Sequence, residues 1–162
     1  MFKVSFKGPP ENPSKAVLRV GNSMYVKIEG IVALPEFFRY IPQSIYDWIT
    51  KEQKLISGEE DVATQTFVLR ASGKAVCHKD DKFDYVFGER LAEARAKMKI
   101  YKFFYTLSSK WYDYYNKIMF GDLEVIEKGN EDCLAQVIKK YEALCIRESH
   151  HIGELLTSKS NG

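Results

Sequence analysis

Apolar and polar residues alternate in short stretches through the N-terminal half of the chain, then switch to a helical period for most of the C-terminal half. Phe2, Val4 and Phe6 alternate with polar neighbours, the pattern of a half-buried strand, until Gly8-Pro9-Pro10 ends it. Lys15 to Val20 and Ser23 to Ile28 bracket Gly21-Asn22, which predicts a β-hairpin. Thr66 to Ala71 and Lys74 to His78 bracket Ser72-Gly73 in the same way, and predict a second hairpin with Leu69 facing Val76 and Phe67 facing His78. Between them, Phe37, Phe38, Ile41, Ile45, Trp48 and Ile49 suit a helix that Pro42 must interrupt. Two short helical pieces ending by Gly58 are expected, followed by an acidic loop from Glu59 to Asp61.

The strongest helical pattern starts at Phe83. Phe83, Phe87, Leu91, Ala94, Met98, Tyr101 and Tyr105 step by three or four residues along one stripe, and Asp80, Asp81 and Asp84 supply carboxylates to cap its free N–H groups. Gly88, Ala92 and Ala96 form a small-residue row beside the stripe, which would let the helix backbone lie close to a sheet. Glu93 and Lys97 are spaced as an ion pair. Ser108-Ser109 reads as a cap before a separate segment from Trp111 to Phe120, stopped by Gly121. Gly129-Asn130 opens a last helix with Leu134, Ile138, Tyr141, Cys145 and Ile152 near one side, and Thr157 to Gly162 reads as frayed. The fold class expected is therefore α+β: an antiparallel sheet built from two β-hairpins plus an N-terminal strand, with helices packed mainly on one face and a helical C-terminal half. Residues 1–157 are expected to form a single domain and residues 158–162 a tail.

Composition agrees with one buried core. Of 162 residues 45% are apolar and 14% aromatic, and charges nearly cancel to +2, which argues against both disorder and a dedicated polyanion binder. Cys77, Cys133 and Cys145 are odd in number and widely spaced, with no secretory leader in Met1 to Ser5, so a disulfide framework is not expected. The apolar runs are far shorter than the ~20 residues of a membrane span. The expected compartment is the cytoplasm, that of a host cell in the reading developed below.

Gly73 to Cys77, Asp81 to Asp84, Gly88 and Leu91 to Ala96 together resemble a hairpin-plus-helix pattern of small bacteriophage and mobile-element proteins. The strand-strand-helix order is also similar to the end of double-stranded-RNA-binding-type folds. The resemblance covers about a quarter of the chain and rests on turn, cap and packing residues, so it implies an origin more than an activity. It departs from a true double-stranded-RNA-binding domain at the helix start, where that family has a basic cluster and this chain has Asp80, Asp81 and Asp84. Carboxylates there occupy the positive helix pole that a phosphate would need.

No assembled chemistry emerges from the motifs. Cys77-His78 with Cys145 and His150-His151 offers soft ligands, but without Cys-x-x-Cys spacing, so neither a metal site nor any cofactor is expected. Adjacent strand residues point to opposite faces, which keeps Cys77 from pairing with His78 as nucleophile and base, and no catalytic residues are assigned. The candidate surface is Lys97 to Phe120, where five lysines face Asp113 alone amid nine aromatic residues. Lys97, Tyr101, Lys102, Tyr105 and Lys110 are its first candidate contacts, and Trp111, Tyr112, Tyr114, Tyr115 and Lys117 the rest. Trp111, Tyr114 and Tyr115 are expected to act as exposed hot spots whose loss spares folding. The function expected is that of a non-catalytic phage-type protein that engages and blocks a host protein or nucleoprotein complex, as anti-defence inhibitors of CRISPR effectors do. The alternative is a module that binds nucleic acid directly, lysines on phosphates and rings on bases.

Overall fold

The computed structural model describes residues 3–6, 15–33, 43–51, 56–61, 66–78, 82, 84–119 and 128–160. Five strands and three helices follow in the order β1 (Lys3–Phe6), β2 (Lys15–Val20), β3 (Ser23–Ala33), α1 (Gln43–Lys51), β4 (Ile56–Asp61), β5 (Thr66–Val76), α2 (Tyr85–Met119) and α3 (Lys128–Ser160). The fold is α+β, with every described strand pair antiparallel and the C-terminal half helical.

Strand β3 is the centre of the sheet. One side pairs along its full length with β5, and the other is shared end to end by β2, on Ser23 to Ile28, and β1, on Gly30 to Ala33. The β2–β3 hairpin turns at Gly21-Asn22 as expected. Gly21 takes a φ of 56°, a conformation glycine adopts without the Cβ penalty.

The second hairpin is present one element earlier than expected. Ser72-Gly73 does not turn: β5 runs straight through it, Leu69 lies opposite Gly30 and Gly58, and Val76 lies opposite Ser23. The partner arm is β4, with Asp61 opposite Thr66. Gly58 therefore belongs to a strand, and Glu59 to Asp61, expected as a loop, are its last residues. The reason lies across the core. A Cβ built on Gly73 would sit 1.8 Å from the Ala92 carbonyl oxygen and 2.7 Å from the Ala96 nitrogen. Gly73 is the residue over which the helix backbone crosses the sheet, the close approach that glycine permits. Ala71 and Ala75 flank it on the same face, so a small-residue row on β5 meets the small-residue row of α2.

Asp84 caps α2, its Oδ1 accepting from the Phe87 N–H at 3.0 Å and its carbonyl from the Gly88 N–H at 3.0 Å. Asp80, Asp81 and Phe83 lie outside the described residues. The helix continues through Ser108-Ser109 without a break for 35 residues, so the expected cap is mid-helix. It is held from two directions. Its N-terminal part packs on Met24, Val26, Ile28, Ala71 and Ala75 of the sheet, and its later turns pack on α3. Trp48 of α1 stacks on Phe103 at 5.3 Å, and Phe104 stacks on Tyr141 of α3 at 5.0 Å. Two partners bury two sectors of one helix, which is why Ile100, Phe104, Leu107 and Trp111 join the core while Tyr105 is exposed. Strand β2 is tied to α2 by Lys15, whose ammonium pairs with Glu89 at 2.5 Å and Glu93 at 3.0 Å; Glu93 also pairs with Lys97 at 2.7 Å. Helix α3 extends to Ser160, past the point where fraying was expected. Among the described residues, no helix is long and apolar enough to cross a membrane.

Candidate partner-binding surface

The Lys97 to Phe120 segment falls almost wholly within α2, so one helix presents every described candidate residue. Packing divides them. Tyr101 and Trp111 are core residues, 8% and 1% exposed, a correction to their expected place at the surface. Trp111 is among the largest fully buried side chains in the molecule. Tyr112 is half-buried against the same core. Lys97 is engaged by Glu93, and the Lys110 ammonium lies 5.3 Å from the Trp48 ring centre, where the aromatic face attracts it. Lys102, Tyr105, Tyr114 and Lys117 remain exposed, with Asp113 beside them; the Tyr115 side chain lies outside the described residues. The exposed, described residues of the segment thus comprise two aromatic rings and two lysines against one aspartate, far less positive than the segment as a whole, and Tyr105 and Tyr114, nine residues apart, lie on opposite sides of the helix.

Where they pack together, α2 and α3 enclose a polar cluster. Tyr101 and Tyr141 are buried beside Glu148, itself only 5% exposed, and His151 Nδ1 lies 3.1 Å from Glu148 Oε1. Burial pushes the Tyr141 hydroxyl up to about 12, with the neighbouring Tyr101 adding to the rise. Tyr101 is raised as well, by burial first and then by the negative charge of Glu148. A carboxylate in an apolar seam escaped the periodicity argument, yet Tyr141, Cys145, Glu148 and Ile152 step by three and four along one side of α3, which marks position 148 as inward-facing. Within α2, the Ser108 hydroxyl is fully buried and finds no hydrogen-bond partner among the described residues.

The other expected candidates do not converge. Cys77 follows β5, donates its backbone N–H to the Asn22 carbonyl at 2.8 Å, and lines a cleft of about 20 Å³ with Ala75, Val76, Asp84, Phe87, Gly88 and Leu91. That volume holds about one water molecule. Cys145 lies on α3, where burial raises its thiol and makes the thiolate harder to form. Comparison with family models, curated proteins and solved structures finds no match.

Proposed function

We propose that this chain is a non-catalytic, phage-type binding protein that engages a host macromolecular complex and blocks it, in the manner of anti-defence inhibitors of CRISPR effectors. The exposed residues of α2 between Lys102 and Lys117, with Tyr105 on one side of the helix and Tyr114 on the other, are its working surface. The observation that supports this is the exposure of Tyr105 and Tyr114, 37% and 36%, on a helix whose Tyr101, Phe103, Phe104 and Trp111 are drawn into the core. Rings held at the surface by a rigid, doubly packed helix give a partner large contact area at low entropic cost. The charge balance favours a protein surface over direct nucleic-acid binding. Lys97 and Lys110 already hold Glu93 and the Trp48 ring, which leaves few lysines to neutralise phosphates.

The test is expression in bacteria with an active CRISPR effector, scored by plating of a phage the effector targets. The wild-type chain should raise plating, and Tyr105→Ala with Tyr114→Ala should abolish the effect while the thermal midpoint holds. Unchanged plating with folded wild-type protein refutes CRISPR inhibition. Retention of a partner that disappears steeply with salt, and on nuclease treatment, would transfer the surface to nucleic acid.

A further inference from the structure

Along β2, β3 and β5 the two faces of the sheet differ. Met24, Val26, Ile28, Ala71 and Ala75 are buried under α2, whereas the residues between them point the other way. On β5 exposed Ser72, Lys74 and Val76 alternate with buried Ala71, Gly73 and Ala75. Register sets Val20 beside Ser23 and Val76 on this outer face, and Leu18 beside Tyr25 and Lys74, with Lys27 two residues beyond Tyr25. Leu18, Val20 and Val76 are 61%, 57% and 60% exposed, among the barest large apolar side chains described. Two cations stand with them: Lys27 is exposed, and the Lys74 ammonium lies 5.3 Å from the Tyr25 ring centre. Among the described residues neither lysine has a carboxylate partner, and Glu29, next along β3 on the same face, is already paired with Arg70 at 2.8 Å.

We propose that this face receives an acidic amphipathic helix of a partner protein, with the helix's apolar stripe on Leu18, Val20 and Val76 and its flanking carboxylates on Lys27 and Lys74. Charge selects the occupant. A second copy of the chain would set these lysines against their own counterparts, which repel. A nucleic-acid strand would meet one half-buried ring, Tyr25, and three aliphatic side chains that gain nothing from phosphates. The fitting surface carries apolar groups and carboxylates together. Three adjacent strands span roughly 10 Å between the outer two, close to the diameter of one helix with its side chains, about 10–12 Å. The other face of the same sheet already holds such a helix, since α2 lies on these strands and grips Lys15 of β2 through Glu89 and Glu93. Apolar contact then supplies affinity and the two ion pairs supply selection. This face lies across the sheet from α2 and does not depend on the role assigned to the exposed residues of that helix.

The probe is a short labelled helical peptide with a leucine stripe flanked by glutamates, followed by fluorescence anisotropy, with the same peptide carrying lysine for glutamate as the comparison. The glutamate peptide should bind and the lysine peptide should not, and the resonances of Leu18, Val20, Tyr25 and Val76 should shift. Lys27→Glu with Lys74→Glu should weaken the glutamate peptide about tenfold and admit the lysine peptide, because both surface ion pairs are reversed. Leu18→Ser with Val76→Ser keeps both cations and should weaken binding to a similar degree through lost apolar contact. All four positions are exposed, so both variants should keep a thermal midpoint near that of the wild type. Should the serine variant fail to fold, the exchange of peptide preference in the glutamate variant decides the matter alone. No binding, equal binding of both peptides, or binding that survives the serine substitutions overturns the proposal. So does tighter binding of phosphatidylserine vesicles or of a single-stranded oligonucleotide than of the glutamate peptide, or a dimer of the chain that the serine variant dissolves; these would give the face to a bilayer, a nucleic acid or a second copy.

Discussion

Gly73→Ala tests the crossing of α2 over β5 most directly. The added methyl would lie 1.8 Å from the Ala92 oxygen, 2.7 Å from the Ala96 nitrogen and 2.9 Å from the Ala92 carbonyl carbon. A carbon–oxygen contact relaxes only near roughly 3.3 Å, so the helix must retreat by about 1.5 Å along that direction. All three obstructing atoms are backbone, and no side chain can rotate away. A gap of that size also forfeits more than about half of the dispersion attraction of the layers beside it, here Ala71 and Ala75 against α2. Overpacking of this kind costs about 3 kcal/mol, against a gain below about 1 kcal/mol from replacing glycine in the unfolded chain. At about 2–4 °C per kcal/mol for a chain of this size, the net cost of about 2–3 kcal/mol should lower the thermal midpoint by roughly 4–12 °C. Calorimetry and urea titration would measure it, with two other glycines as references. Gly153→Ala meets open space within α3 and should stabilise by up to about 1 kcal/mol, whereas Gly21→Ala also meets open space but carries a φ of 56° and should cost about 1 kcal/mol. If Gly73→Ala behaves like Gly153→Ala, the close crossing is wrong.

Trp111→Ala should destabilise by about 3–5 kcal/mol in urea titration, as expected for a fully buried ring; a loss under about 0.5 kcal/mol would return Trp111 to the surface. Ser108→Ala removes a buried hydroxyl that has no partner among the described residues and should raise stability by about 1 kcal/mol, whereas a loss of similar size would reveal an interaction made by that hydroxyl. Tyr141, Tyr101 and Lys15 all hold their protons more tightly in the folded chain than at their ordinary values, Lys15 chiefly through its hydrogen bond to Glu89. Their contribution is complete below about pH 10 and is lost as pH rises through the folded values, with Tyr141 alone accounting for about 3 kcal/mol of the stability lost once the pH has passed about 12. Absorbance at the tyrosinate band should therefore show late-titrating tyrosines whose ionisation coincides with unfolding, and a single early step for every tyrosine with the fold intact would contradict this. On the acid side, burial works to raise Glu93, but its bonds to Lys97 and Lys15 outweigh it and the carboxyl is lowered. Glu93→Gln should thus lower stability at neutral pH, and the difference from wild type should vanish as pH falls through the lowered Glu93 value.

Several features were legible along the chain because short-range chemistry decides them. Gly21-Asn22 places glycine first in a two-residue turn, where a positive φ is needed, and Asp84 stands three residues before the N–H it caps; neither requires knowledge of the rest of the molecule. The small row Gly88, Ala92 and Ala96 correctly announced a close approach to a sheet, because a missing or minimal side chain is itself a statement about distance. Ser72-Gly73 carried a similar local signal and meant something else. Its glycine makes room for Ala92 and Ala96, and that demand arises only when β5 and α2 meet. The aromatic segment divided on the same principle. Period and spacing establish that Tyr101 to Lys117 is helical, but a helix flanked by one partner buries a single stripe, and a helix held by both a sheet and α3 buries two. Which rings of α2 enter the core is thus settled by where α3 lies, through contacts such as Phe104 with Tyr141, and no residue within α2 encodes that position alone.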